Sequence, residues 1–548
     1  MSSLIEPEFK PLRVVLYMDE IVPGNPLRID KARSIMCVYY SFVEFPQHVL
    51  QRGNGWFLFG ILRSKLIELL PGGESQLFKM ILRNMFATNN CLAVGVNIVA
   101  RDRLVTCRAI FGGLLADEVA HKDCFNIKGA AGTKPCISCK NVVNHNVMVG
   151  DSDYLVSLLN CDCSRLDRHT NASIYEAVDL LRRSKATMSK TKFKDLETLV
   201  GINFCEHSVL FDDELRYMLK PVDHNIRDWM HTMLSSGVAS IELSLVLQEL
   251  KNNGIAMSSV TKYSLAFTLP KSRGRVSPEW FSDKRIMTDH LKTTSASENI
   301  NIIRVLNAFL EDIVIPLDVA RAHCKCFSML AQIVDVMMLG PEGAADVHAQ
   351  LQSLIVAHNK LFVELYADHV KPKLHHMLHI PDNIAFLGKL LSCFVTERKH
   401  RIVKARANHT YRHMEHTVTL DLVNAFAEEA NSRKELYRHS FLIRPHKCGD
   451  NFMESGQATL PCGTVSVGDI VCFESSTDLL VGSADGFYGF EDMIFVRVRL
   501  YKSNLSPRVF TTSQPQLSFV DASTVTDVLS WAPYSDDSIR IIKPFRGF

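Results

Sequence analysis

The sequence predicts an α/β protein in three parts, namely a strand-rich beginning, a long helical block and a β-rich end. Short apolar runs bounded by turn residues fill the first part, and a period of 3.6 residues takes over near residue 172. Alternating hydrophobicity returns after residue 456. A hydrophobic content of 47% and a charged content of 22% are ordinary for globular proteins, so large buried cores are expected.

The first part is expected to contain three strands, a helix and then two more strands. The expected segments are Leu12–Tyr17, Ser34–Phe42, Trp56–Leu62, the helix Lys65–Phe86, and the strands Cys91–Val99 and Leu104–Leu115. Three strands, a helix and a later strand that ends on an acid is the order of an RNase H-like core. We therefore predict the first part of such a core, together with a cysteine knuckle, in residues 10–145.

Acidic residues follow two of these strands. Asp19 ends the first strand and Asp117 ends a later one, where a rigid sheet would hold each carboxylate at a fixed height. Divalent Mg²⁺ prefers such oxygen ligands. Glu20 and Glu118 directly follow these two aspartates and are alternative ligands, although alternation along a strand favours one acid per face.

A third acid, Glu397, opens a basic helix much further along the chain. Asp123 is a rival for the position of Asp117, and Glu397 could instead pair with Arg401 one helical turn away. The interval between Asp117 and Glu397 is far longer than a strand-to-helix connection needs, so we expect an inserted domain.

The helical periodicity places this insertion in residues 146–372. Apolar residues recur at helical spacing from 174 to 181, from 302 to 309 and from 347 to 361, with no clear strand among them. Residues 373–445 are then expected to supply the last core helices with Glu397. Val465–Val471 and the alternating run from 494 to 500 predict strands of a small C-terminal β-barrel in residues 456–548.

A glycine-rich turn leads into a Cys-x-x-Cys pair at Cys136 and Cys139. Two thiolates at this spacing on a tight turn can reach one tetrahedral Zn²⁺, although one pair is only half a site. Buried thiols in a loop are the alternative. The turn is not a phosphate-binding P-loop, because no Gly-Lys-Ser/Thr follows it.

Six short motifs follow one another between residues 12 and 430: YMDE, LLADE, KGAAGTKPCISCKN, DWMH, KLHHMLH and FVTERKHRIVKARANH. This ordered set resembles the transposases of CACTA (En/Spm-like) elements and related eukaryotic cut-and-paste families. The resemblance implies a metal-dependent enzyme that nicks DNA at transposon ends and joins the freed 3′-hydroxyl to target DNA.

The resemblance also implies roles for particular residues. The catalytic carboxylates would be Asp19, Asp117 and Glu397, which would hold two Mg²⁺ or Mn²⁺ ions about 3.5–4 Å apart. The zinc site of the two cysteines would be completed by histidines of the later motifs. The histidines expected there are His231 and either His376 or His379.

With 61 basic and 59 acidic residues the chain has no overall basic field, so a DNA surface must be local. The candidate is the helix after Glu397, whose basic residues are Arg398, Lys399, Arg401, Lys404 and Arg406. A plain solvated face is the alternative.

The expected partner is double-stranded DNA. We also expect a homo-oligomer, a nuclear location and no association with a membrane. The first predicted strand begins at Leu12, so we expect no N-terminal DNA-end-binding domain. This expectation leaves open a domesticated, catalytically silent protein that binds DNA or chromatin. A zinc-stabilised scaffold without a nucleic-acid role is a further alternative.

Overall fold

The computed structural model describes residues 10–24, 30–100, 103–144, 152–292, 295–340, 345–432, 438–449, 451–474, 479–503, 508–542 and 544. The chain forms two compact units. The first unit consists of Met1–Thr232, Glu342–Gln352 and Val370–Glu429, and the second consists of Met233–Pro341, Ser353–His369 and Ala430–Phe548.

Helices and strands alternate through the first unit, and the second unit is helical before its final strands. The helices are α1 (Gln47–Leu50), α2 (Ser64–Glu68), α3 (Gly73–Phe86), α4 (Glu118–Phe125), α5 (Asn171–Lys185), α6 (Lys190–Val200), α7 (Val238–Asn252), α8 (Met257–Leu265), α9 (Ala296–Phe309), α10 (Arg321–Leu339), α11 (Ala345–Tyr366), α12 (Pro372–Met377), α13 (Ile380–Leu387), α14 (Phe394–Ala407) and α15 (Met414–Ser432). The strands are β1 (Leu12–Ile21), β2 (Ile35–Phe42), β3 (Phe57–Arg63), β4 (Val96–Ala100), β5 (Arg103–Cys107), β6 (Ala109–Ala116), β7 (Val142–Val143), β8 (Val156–Ser157), β9 (Asn225–Arg227), β10 (Phe441–Leu442), β11 (His446–Lys447), β12 (Phe452–Ser455), β13 (Gln457–Leu460), β14 (Gly463–Ser466), β15 (Ile470–Glu474), β16 (Leu479–Phe490), β17 (Met493–Ser503), β18 (Val509–Asp521), β19 (Val525–Leu529), β20 (Trp531–Ser535) and β21 (Ser538–Ile541).

A five-stranded sheet with the order β3-β2-β1-β6-β9 lies at the centre of the first unit. Strands β1, β2 and β3 pair antiparallel, whereas β6 runs parallel to β1 and β9 runs parallel to β6. Side chains of β1 such as Leu16 and Met18 are fully buried and share a core with Phe78 of α3 and Phe125 of α4. The predicted α/β class is confirmed.

The structure differs from the expected helical block of residues 146–372 in two ways. Strand β9 lies inside this block and forms an edge of the central sheet, although no strand was expected there. Helices α5 and α6 belong to the first unit, because Ile174, Val178, Leu181 and Phe193 pack into its core. The apolar face of an amphipathic helix does not by itself indicate which core the helix packs against. The second unit begins only after Thr232.

A one-residue interruption also changes the expected strand Leu104–Leu115. Residues 103–107 form β5, which pairs with β4 in a separate hairpin, and the chain enters the central sheet only at Ala109 as β6. The apolar run is therefore shared between two sheets.

In the second unit the C-terminal strands form a three-stranded sheet, β10-β13-β14, and a nine-stranded sheet that contains β15 to β21 with β11 and β12. The expected strand Val465–Val471 is broken by a turn, in which Gly468 adopts a φ of +88° between β14 and β15. The expected strand around residues 494–500 lies within β17.

These strands pack on helical and loop residues of the same unit. Arg273 Nη2 lies 3.1 Å from Asp527 Oδ1, and Arg540 Nη1 lies 2.7 Å from Asp312 Oδ2. Thr268 and Trp531 exchange two backbone hydrogen bonds. The β-rich segment is thus part of the second unit.

Two helical segments are long and apolar enough to cross a membrane by length and composition alone. They are Met230–Asn252 and Arg321–Leu339, and 83% and 56% of their most apolar windows are buried inside the protein. Core helices of a soluble protein have the same character, so this is weak support for a membrane span.

Candidate functional site

Strands β1 and β6 bring two acids to the same height. Leu12 to Val14 pair with Ala109 to Phe111, but Val15 to Tyr17 pair with Gly113 to Leu115. Gly112 is thus the extra residue of a bulge. Asp19 lies two residues beyond Tyr17 in β1, and Asp117 lies two residues beyond Leu115, directly after β6, so the two acids have the same offset along strands about 4.8 Å apart.

Helix α14 brings Glu397 to Asp19. The hydroxyl of Tyr17 donates to Asp19 Oδ2 at 3.2 Å or to Glu397 Oε1 at 3.1 Å, and so lies between the two carboxylates. His400, one turn after Glu397, places its Nδ1 3.5 Å from Asp19 Oδ2 and 3.7 Å from Glu397 Oε2. Asp19, Glu397 and His400 thus offer ligand atoms within 4.8 Å of one another.

Asp117 is near this group but is not a member of it. Its carboxylate caps helix α4 by accepting the backbone N–H of Ala120 at 2.8 Å. Its charge nevertheless contributes to raising the pKa of Asp19, which places it within electrostatic reach. The structure therefore assembles Asp19 and Glu397 tightly and places Asp117 directly after the adjacent strand, at the start of α4.

The two clustered carboxylates differ in acidity. Burial raises the pKa of Asp19 to about 6; His400 opposes this shift, and the charges of Glu397 and Asp117 reinforce it. Burial would also raise the pKa of Glu397, but the hydrogen bond and charge of His400 and the charge of His231 hold it below its ordinary value. Like charges are thus crowded in a partly enclosed place, as occurs at sites that bind a cation.

His231 belongs to this carboxylate cluster and not to the cysteine site expected for it. Its Nδ1 donates to Asp228 Oδ2 at 2.6 Å, and its Nε2 lies 3.7 Å from Glu397 Oε1. Burial disfavours the imidazolium, but the hydrogen bond and charge of Asp228 outweigh it and raise the pKa of His231 to about 9.

Sequence reasoning gave Asp228 no role at the site. This residue directly follows β9, the third parallel strand, and is 1% exposed. Its Oδ1 accepts the backbone N–H of Cys393, the residue before α14, at 2.9 Å. Asp228 therefore holds both His231 and the start of the helix that carries Glu397. The signal was present, since Asp228 and His231 are three residues apart, but that spacing is common in helices.

The second cluster of the first unit contains Cys136, Cys139, His375 and His379, all buried, with ligand atoms within 4.8 Å of one another. His379 Nε2 lies 3.3 Å from Cys136 Sγ, 3.6 Å from Cys139 Sγ and 3.1 Å from His375 Nε2. Two sulfurs and two imidazole nitrogens in this arrangement are the donor set of a tetrahedral Zn²⁺ site.

The surroundings of this cluster suit ionised sulfur. Arg227 Nη2 and the backbone N–H of Ser138 each donate to Cys136 Sγ at 3.3 Å. Burial opposes ionisation, but the hydrogen bond from Cys139 and the charges of His379 and Arg227 hold the pKa of Cys136 well below its ordinary value. The other ring nitrogen of His379 lies 3.3 Å from Asp382 Oδ2, the kind of contact that orients metal-bound histidines.

The expected histidine ligands need correction. His379 is present, but His376 is turned away, and its Nε2 donates to the carbonyl of Pro135 at 3.2 Å. His375 takes the place expected for His376. On α12 the two neighbours point in directions about 100° apart, so only one of them can face the cysteines.

Helix α14 also differs from the expected DNA-binding helix at one residue. Lys399 is 3% exposed, and its Nζ donates to the backbone carbonyls of Gly53 at 2.8 Å and Trp56 at 2.5 Å. It cannot reach a phosphate in this arrangement. The other four basic residues, Arg398, Arg401, Lys404 and Arg406, are exposed.

The rival acids are placed less suitably. Glu20 is exposed, and Asp123 lies near Lys122, with its Oδ1 3.6 Å from Lys122 Nζ. Glu118 lies on the side of His376, with its Oε2 4.0 Å from His376 Nδ1. None of the three belongs to a metal-ligand group found among the described residues.

No protein-family model matches this chain, and no curated protein matches it either.

Proposed function

We propose that this protein is a transposase-like, metal-dependent DNA nuclease and strand transferase, with Asp19, Asp117 and Glu397 as its metal-binding carboxylates. The observation that carries the proposal is the convergence of Asp19 and Glu397 across 378 residues of sequence, beside His400 and level with Asp117. Three parallel strands supply the framework: β1 contains Asp19 near its end, and Asp117 and Asp228 directly follow β6 and β9.

The sheet order supports an RNase H-like interpretation of the first unit. Three antiparallel strands followed by two parallel ones, in the order β3-β2-β1-β6-β9, is the arrangement of that core, and α14 brings the third acid to it. On the same interpretation the C-terminal sheets would be the expected small β-barrel.

The carboxylates fit Mg²⁺ or Mn²⁺, because they are oxygen donors held close together with incomplete neutralisation. A bound pair of such ions would activate the attacking oxygen and stabilise the leaving one. Tyr17 and His400 fix the carboxylate oxygens, and Asp228 with His231 keeps a positive charge beside Glu397. The exposed basic side chains of α14 would bind the phosphates of duplex DNA. The salt dependence of DNA binding tests this contact.

The cluster of Cys136, Cys139, His375 and His379 would hold a structural Zn²⁺. Its ligands come from a loop after α4 and from the α12–α13 junction, more than 230 residues apart in sequence. A zinc ion there would fix α13 and, through the following residues, the start of α14. The proposal includes a nuclear location and self-association of the protein at paired DNA ends.

The decisive experiment measures cleavage of a supercoiled plasmid and of short duplexes with Mg²⁺ or Mn²⁺. We expect Asp19→Asn, Asp117→Asn and Glu397→Gln each to lower the cleavage rate by roughly 1000-fold, as lost charge stabilisation of several kcal/mol implies. Glu20→Gln is the matched control, because it removes an adjacent but exposed carboxylate.

Metal-independent cleavage, or equal activity of Glu397→Gln and the parent protein, would contradict the proposed centre. Salt-sensitive DNA binding without cleavage would instead support a catalytically silent, DNA-binding relative.

A further inference from the structure

The helical part of the second unit contains a further group of side chains that could hold a metal ion. Glu242 of α7, Cys326 of α10 and His358 of α11 are each 0% exposed, and their ligand atoms lie within 4.8 Å of one another. Each residue comes from a different helix, and neighbours on the same helices, such as Leu243, Phe327 and Ile355, are buried apolar residues. Nothing in the proposed nuclease uses them.

The polar atoms of this group are incompletely satisfied within the protein. His358 Nε2 lies 2.7 Å from Glu242 Oε2, but the second oxygen, Oε1, is buried and has no hydrogen-bond partner in the described part of the chain. An unpaired buried carboxylate oxygen is costly to the folded state, so a partner for it is expected.

The orientation of His358 decides which of its nitrogens is available. Its Nδ1 lies 2.9 Å from Asn359 Oδ1, and Asn359 is 1% exposed. A proton on Nδ1 is then donated to this amide oxygen, and the 2.7 Å contact between Nε2 and Glu242 Oε2 contains a second proton, which a bound metal ion would displace. This is the arrangement by which neighbouring groups orient a metal-binding histidine.

We infer that Glu242, Cys326 and His358 form a buried binding site for a single zinc ion that joins α7, α10 and α11. Both oxygens of Glu242, the sulfur of Cys326 and Nε2 of His358 supply four donor atoms of the types that zinc prefers. Binding would ionise the Cys326 thiol, and the two negative ligands would balance the charge of the ion. The site then acts as a structural clamp of the helical core.

The alternative is a metal-free ion pair between Glu242 and a protonated His358, with a neutral thiol beside it. Burial, then the charge of Glu242 and a hydrogen bond to that carboxylate, raise the pKa of Cys326, so without metal the protonated thiol interacts with Glu242. The two arrangements differ in metal content, which makes them separable by experiment.

The test counts zinc in the full chain by mass spectrometry after purification without chelators. We expect two equivalents in the parent protein, one in the variant Cys136→Ser/Cys139→Ser and one in Cys326→Ser. Cys324→Ser is the matched control, because Cys324 is an equally buried thiol on the same helix but belongs to no such group. It should retain two equivalents.

Replacement of zinc by Co²⁺ allows the thiolate ligands to be counted from the absorption spectrum. The sulfur-to-cobalt charge-transfer band of Cys136→Ser/Cys139→Ser should keep about one third of the parent intensity, because one of three thiolates remains. No band and no zinc in that variant would overturn the site, even if the cysteine knuckle binds zinc as proposed.

A folding defect in Cys326→Ser is controlled for with a second measurement. A zinc-selective chelator in excess Mg²⁺ should lower the Tm of Cys136→Ser/Cys139→Ser, because loss of a ligand of the native state reduces stability. An unchanged Tm would identify the metal-free ion pair and reject the inference. Neither outcome depends on DNA cleavage, so failure here is distinct from failure of the proposed nuclease.

Discussion

His375 and His376 are neighbours in sequence and both are 2% exposed, yet they make different contacts. His375 faces the cysteine pair, whereas His376 holds the carbonyl of Pro135 next to Cys136. One histidine thus belongs to the group that could hold a metal ion, and the other fixes the backbone of the loop that carries the cysteines.

A substitution pair separates these two roles. His375→Ala should remove one equivalent of zinc, because a two-sulfur, two-nitrogen site loses a ligand. His376→Ala should retain that zinc and lose about 1 kcal/mol of stability with its hydrogen bond. Zinc content and urea unfolding measure both effects, and retention of all zinc by His375→Ala would show that the ligand set is wrong.

His121 in α4 gives a pH-dependent prediction. It is 3% exposed and its Nε2 donates to the carbonyl of Leu114 at 3.0 Å. Burial lowers the pKa of His121 to about 4. Because this value lies below that of the unfolded chain, protonation favours unfolding, and stability that is complete above pH 6.5 falls as the pH approaches 4.

The variant His121→Gln keeps a donor but does not titrate. Its free energy of unfolding should therefore depend less steeply on pH between 6.5 and 4 than that of the parent protein. The difference in slope should correspond to the uptake of at most one proton on unfolding. Urea unfolding at several pH values gives the slope. Identical slopes for the two proteins would show that folding does not lower the pKa of His121.

At the scale of elements, the bulge in β6 aligns the site. Before the bulge β1 and β6 pair with an offset of 97 residues, and after it with the offset of 98 that also separates Asp19 from Asp117. If Gly112 were paired regularly instead of bulging, the offset of 97 would continue and Asp19 would lie opposite Ala116, one residue out of step with Asp117. The bulge is therefore part of what makes the site.

Gly113, beside the bulge, has a φ of +146°, and a Cβ there would lie 2.6 Å from Cγ1 of Ile226 on β9. Gly113→Ala should cost about 1–3 kcal/mol, as overpacking does, and reduce metal-dependent cleavage by displacing β6 from β9. Gly60→Ala in β3 is the control, since no atom lies within 4 Å of a Cβ added there. Equal unfolding midpoints for the two variants would contradict this role of Gly113.

At the scale of the whole molecule, the candidate centres divide between the two units. The carboxylate cluster and the cysteine cluster use residues of the first unit only, whereas the C-terminal strands belong to the second. Those strands contact their own unit through Arg273–Asp527, Arg540–Asp312 and Thr268–Trp531.

Deletion of the chain after Asp450 should therefore leave divalent-metal binding at Asp19 and Glu397 and zinc at Cys136. The same deletion should destabilise the helices of the second unit, by roughly 2–4 °C in Tm for each kcal/mol lost. Metal titration and calorimetry measure the two effects. A truncated protein that binds no divalent metal would show that the C-terminal segment supports the first unit directly.

Much of the fold and of the candidate sites could be predicted from local patterns in the sequence. Apolar periodicity identifies β1, β2, β3, α5, α9 and α11, because burial of one face imposes a period on the sequence. Acids at strand ends and a Cys-x-x-Cys turn are equally local, since a few residues suffice to define them. The α/β class and most of the candidate ligands follow from such signals.

Tertiary packing alone decided the remaining assignments. The three-residue strand β9 has too few residues for a periodic signal, and its place beside β6 depends on a partner 111 residues earlier. Lys399 carries a charge that predicts exposure, yet Gly53 and Trp56 offer it buried carbonyls. His375, His400 and the group around Glu242 acquire partners from distant segments. Such contacts depend on how faces of separate elements meet, which no local pattern encodes.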